Sequence, residues 1–123
     1  GVAGSSAVFE RGFVTYSNKA KTEMLGVTDK LIMAHGAVSE AVAKAMAQGA
    51  LKQSAATLAI SITGIAGPSG GTETKPVGLV YFACATKRGK EWHEKKIFDG
   101  DRAAIRLAAR DHALQMLGKA LSG

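Results

Sequence analysis

The run Ile60-Ser61-Ile62-Thr63-Gly64-Ile65-Ala66-Gly67-Pro68-Ser69-Gly70-Gly71 constrains this chain more than any other segment. It begins as an apolar, β-branched strand and breaks into four glycines and a proline. A strand that ends in this way is not shaped to fill a core. Glycine adopts positive φ without steric cost and lets backbone N–H groups come close to a ligand. Such a loop suits a phosphate or a developing oxyanion. The plainer alternative is a long hairpin-like connection that uses Gly-Pro for its turns, although the segment is longer than a plain connection needs. The Walker pattern Gly-x-x-x-x-Gly-Lys-Ser/Thr is absent, so this is not a P-loop.

Hydrophobic periodicity places the loop within a layered domain. Arg11 to Tyr16 reads as a short strand and Asn18 to Leu25 as a short helix stopped by Gly26. Thr28 caps a helix over Asp29–Ala34, and Ser39 caps a longer one to about Gln53. In the longer helix Val42, Ala45, Met46, Gly49 and Ala50 recur at helical spacing and form its buried stripe. Strands follow over Leu58–Thr63 and Val77–Thr86, the second apolar enough to be buried on both faces. After the turn Lys87-Arg88-Gly89-Lys90, residues 91–98 return as a polar edge strand guarded by Lys95 and Lys96. Asp101 opens a last helix to about Leu121, with Leu107, Leu114, Leu117 and Leu121 as its expected stripe. The order β-α-α-α-β-β-β-α implies an α/β layered domain with helices packed on a mixed β-sheet. The short last loop makes its two strands antiparallel. The long helical crossover between the first two strands argues for a parallel pair.

The 123 residues suffice for one domain with a real core, not for two. A net charge of +6 favours anionic partners, yet the cations are scattered and not interleaved with aromatics. Nucleic acid is therefore not expected as a partner. No apolar run of about 18 residues is present, so no membrane span is expected, and a cytoplasmic location is the default. The single cysteine, Cys84, lies in the apolar run Val80–Ala85 and reads as inert core. His35, His93 and His112 lack metal-ligand spacing and read as structural or surface residues. The polar cluster Tyr16-Ser17-Asn18-Lys19-Ala20-Lys21 stands where a strand turns into a helix, a usual place for a site. A lysine there acts as a base only if its surroundings favour the neutral amine. Thr63 and the glycines after it can donate to a phosphate or amide, and Arg102, at the start of the last helix, can clamp a phosphate.

Several segments together resemble one family: Gly4-Ser5-Ser6-Ala7, Gly12 through Lys21, Leu25-Gly26-Val27, His35-Gly36-Ala37-Val38-Ser39-Glu40, Thr63 through Pro68 with Gly70-Gly71, Lys75 through Val80, and Gly100-Asp101-Arg102. In order and spacing they resemble the CinA C-terminal domain, which includes the stand-alone PncC-type nicotinamide mononucleotide deamidases. The resemblance implies hydrolysis of nicotinamide mononucleotide to nicotinate mononucleotide and ammonia, with no metal or other cofactor. It implies a serine nucleophile with tyrosine and lysine partners, roles that fall on Tyr16 and Lys21. It assigns the substrate-binding loop to Thr63, Gly64, Ile65, Ala66 and Gly67, with Asn18 and Arg102 as further substrate contacts. The family's Glu-Ser-Cys-Thr-Gly-Gly motif has no counterpart here, so the serine is expected upstream of Gly1. The chain is then a single CinA-like domain over 1–123 lacking its first strand and helix. A non-catalytic nucleotide-binding or interaction domain linked to competence or DNA damage is the alternative, and the upstream serine separates the two. A bare scaffold fits the Gly-rich loop poorly. Small α/β domains often complete their packing as symmetric dimers, which leaves a homodimer open.

Overall fold

Alternation of large and small side chains decides how the sheet is covered. The structure, a computed structural model, describes residues 6–9, 12–15 and 27–122. Strands β1 (Ser6–Phe9) and β2 (Gly12–Thr15) pair antiparallel. Strands β3 (Leu58–Gly64), β4 (Leu79–Thr86) and β5 (Glu91–Ile97) form a second antiparallel sheet in that spatial order. The helices are α1 (Asp29–His35), α2 (Glu40–Lys52) and α3 (Arg102–Ser122). The layered α/β architecture is the one expected from the sequence. All described pairings are antiparallel. β2 lies close beside β3, but a parallel ladder between them is not among the described pairings. Sequence reading missed β1. The helix expected over residues 18–25 lies outside the described residues.

In β3, Leu58, Ile60 and Ile62 join Val80, Phe82 and Cys84 of β4 on one face, under Ile105, Ala109, Ala113 and Met116 of α3. Burying a side chain such as Phe82 or Ile62 contributes roughly 1.5–3 kcal/mol. On the other face Ala59, Ala83 and Ala85 meet Val42, Ala43, Met46, Ala47 and Ala50 of α2. Alanine against alanine brings α2 close to the sheet, near enough for the Ser61 hydroxyl to donate to the Ala43 carbonyl at 2.5 Å.

One expected core face is wrong. Leu107, Leu114 and Leu121 of α3 are exposed and Leu117 is only partly buried; Ile105, Ala109, Ala113 and Met116 point inward instead. Helical spacing allows either stripe. The small Ala109 and Ala113 let α3 approach the large residues of β3 and β4 (Leu at those positions would hold it off).

The ends of the helices follow local chemistry. Thr28 Oγ1 accepts from the Leu31 N–H and Ser39 Oγ from that of Val42, so both caps form as expected. Asp101 Oδ1 accepts from the Ala104 N–H and caps α3 in the same way. Its polar, largely exposed β5 lies at the edge of the three-stranded sheet.

Candidate functional site

β3 and β4 are antiparallel neighbours, so the Gly-rich segment joining them is a hairpin connection as well as a candidate cradle. Its neck is closed by Ile65 N–H donating to Leu79 O at 2.9 Å and Gly78 N–H donating to Ile65 O at 2.7 Å. Gly67, at φ +83°, sits so close to Val77 that a Cβ would lie 2.6 Å from its Cγ1. At Gly71 a Cβ would meet the Val77 backbone N at 2.8 Å. These two glycines let the loop fold onto its own returning limb. Among the described residues, the N–H groups of Ala66, Gly67, Ser69 and Gly70 have no protein acceptor. They are the donors that a bound anion or oxyanion can use.

Three side chains outside the loop fix its surroundings. Thr63, buried at the end of β3, donates its hydroxyl to the Ala37 carbonyl at 2.6 Å. Arg102, in the first turn of α3, donates from Nη1 to the Gly67 carbonyl at 3.1 Å. Lys75 donates from Nζ to the His35 carbonyl at 3.0 Å. Thr63 and Arg102 were expected to face a substrate, and here each donates to backbone of the loop or of the α1–α2 joint. Thr63 through Gly67 and Arg102 therefore come together in one place. Tyr16, Asn18 and Lys21 lie outside the described residues. Sequence reading gave no role to Lys75, whose partner is forty positions away and leaves no local signal.

Other candidate groups have structural partners. Cys84 is buried, and desolvation pushes its thiol pKa up to about 12, so the thiolate needed for chemistry is suppressed. His112 contacts Glu94 Oε1 at 3.0 Å and stacks edge-on against Phe82. His93 lies 3.3 Å from Glu40. Among the described residues, no group of three His, Cys, Asp or Glu side chains is placed to hold a metal ion, and no helix is long and apolar enough to cross a membrane. A cavity of about 540 Å³ opens beside Lys52, Thr86 and Lys90, at the opposite end of the sheet from the Gly-rich loop.

Comparison with known proteins adds the remaining evidence. Residues 1–121 match the family described as the CinA C-terminal domain. The nicotinamide-nucleotide amidohydrolase PncC of Escherichia coli K12 is 58% identical over 116 residues, covering 94% of this chain and 70% of that protein. A putative competence-damage inducible protein of Caldicellulosiruptor saccharolyticus is 57% identical over 120 residues, covering 98% of this chain but 29% of that protein. Among solved structures, the competence/damage inducible protein CihA from Agrobacterium tumefaciens superposes with a TM-score of 0.80 at 46% identity. That match covers 86% of this chain, which spans 64% of the solved one.

Proposed function

The chain belongs to the CinA C-terminal domain family, and from that premise we propose that it is the larger part of an amidohydrolase acting on nicotinamide mononucleotide. The observation that carries this reading is the 58% identity to a nicotinamide-nucleotide amidohydrolase across 94% of the chain. The Gly-rich loop is consistent with it, because an amide substrate bearing a phosphate needs backbone donors for both a phosphate and an oxyanion.

In this mechanism the nucleophile is a serine upstream of Gly1 in the intact protein. Neutral Lys21, oriented by Tyr16, takes the serine proton. The serine oxygen attacks the carboxamide carbon, and the carbonyl electrons move onto oxygen. The Ala66 and Gly67 N–H groups, which have no protein acceptor among the described residues, stabilise that oxyanion. Collapse breaks the C–N bond, and the lysine returns the proton to the departing ammonia. Water then hydrolyses the acyl-enzyme to release nicotinate mononucleotide and free serine. Arg102 holds Gly67 with one nitrogen and has further guanidinium donors for the substrate phosphate. Asn18 contributes a substrate contact.

A second reading has its own support in the likeness to competence-damage inducible proteins: a binding or interaction domain without turnover. Ammonia release from nicotinamide mononucleotide separates the two. The amidohydrolase reading expects release by the intact protein and a loss of at least about a hundredfold in kcat for Lys21→Ala with the fold retained. Absence of release from the intact protein rejects it in favour of the binding domain. Near-normal turnover by Lys21→Ala removes that lysine from the mechanism.

A further inference from the structure

Three consecutive carbonyls in the joint between α1 and α2 are each held by a side-chain donor. Lys75 Nζ donates to His35 O at 3.0 Å, Ser39 Oγ to Gly36 O at 2.8 Å and Thr63 Oγ1 to Ala37 O at 2.6 Å. The Ser39 bond is local and belongs to the N-cap of α2. The other two cross the fold from the two limbs of the Gly-rich connection, Thr63 just before it and Lys75 on its return. The joint is thus bracketed by both limbs.

Lys75 is itself held. The Thr72 N–H donates to Lys75 O at 2.8 Å, and the Lys75 N–H donates to Thr72 Oγ1 at 3.0 Å. Gly36, the C-cap of α1, stands at φ +83°, where an L side chain is strained, and a Cβ there would also lie 2.7 Å from Nζ, the movable end of the lysine. A cation at the last carbonyls of a helix is also favoured electrostatically. Gly36 thus serves the turn at the end of α1 and leaves the ammonium space beside it.

We propose that Lys75 is a positioning residue for the site, tying the returning limb of the Gly-rich loop to the α1–α2 joint and so fixing where the loop's backbone donors stand. The proposal rests on the reading of that loop as the binder of a phosphorylated amide substrate. A loop already held loses less freedom when its ligand arrives, so the tie strengthens binding. Its removal is felt mainly in KM, because the ammonium acts through the loop.

The test is Lys75→Met in the intact protein, read by amide hydrogen exchange and by steady-state kinetics with nicotinamide mononucleotide. Exchange of the loop's hydrogen-bonded amides, those of Ile65, Thr72, Lys75 and Gly78, accelerates about tenfold while the β3 and β4 amides keep their protection. KM rises roughly fivefold and kcat stays within about twofold. Unchanged exchange at these amides, or an unchanged KM, overturns the proposal. If the wild-type protein releases no ammonia, it is the amidohydrolase reading that fails, and the exchange experiment still decides whether Lys75 holds the loop.

Discussion

Thr63 and Ser61 lie two residues apart on the same face of β3, and both donate to a backbone carbonyl across the interface with the helical layer. Their partners differ in a way that decides what each hydroxyl is worth. Ala43 lies inside α2, where its carbonyl also has the helix's own N–H as a partner. Ala37 lies in the joint before α2 and outside any helix. Removing the Thr63 hydroxyl cuts the hydrogen bond that ties the irregular α1–α2 joint to the end of β3, a loss of roughly 1–3 kcal/mol. Removing the Ser61 hydroxyl leaves the Ala43 carbonyl its helical bond, and the loss is under about 1 kcal/mol. Urea denaturation of Thr63→Val and Ser61→Ala checks this order. Equal losses, or a larger loss at Ser61, would mean that the joint is not where the buried hydroxyls matter.

At the scale of elements, α3 shows what sequence patterns convey and what they leave out. Its limits are legible because Asp101 is a capping residue and an apolar run follows. Its orientation is not legible from leucine spacing: Leu107, Leu114 and Leu121 make the more hydrophobic stripe, yet they face outward. Hydrophobicity alone does not register that Phe82 and Ile62 already fill the space under the helix, which small residues must then accommodate. Ala113→Leu overpacks that contact and costs about 1–3 kcal/mol, whereas Leu114→Gln changes stability by no more than about 0.5 kcal/mol. Shifts of the urea midpoint in the two variants test this register. A large loss for Leu114→Gln with little for Ala113→Leu would restore the leucine stripe. The candidate site divides the same way. Glycine and proline make the loop visible from Gly64 onward. The donors that hold its surroundings reach across 26, 35 and 40 positions, from Thr63 to Ala37, Arg102 to Gly67 and Lys75 to His35. Contacts of that range have no periodicity to read.

Across the whole molecule, the proposed substrate is an anion and the chain carries a net charge of +6. Among the described residues, Arg102 and Lys75 stand at the Gly-rich loop, each donating to a carbonyl. Others are remote: Lys87, Arg88 and Lys90 occupy the β4–β5 turn at the opposite end of the sheet. At low ionic strength both sets attract a phosphorylated substrate. At 0.1 M salt the screening length falls to about 10 Å, and the remote set is largely silenced. Salt should therefore weaken capture of the substrate, with little effect on bond breaking, which happens after the phosphate is bound. Between about 0.02 M and 0.5 M sodium chloride, kcat/KM for nicotinamide mononucleotide falls roughly three- to tenfold, mostly through KM, while kcat holds within about twofold. Arg88→Gln at the remote turn flattens the low-salt end of that curve and leaves its high-salt end unchanged. Equal sensitivity at both ends would place Arg88 within the local field of the site, and a salt-independent kcat/KM would show that the positive charge plays no part in capture.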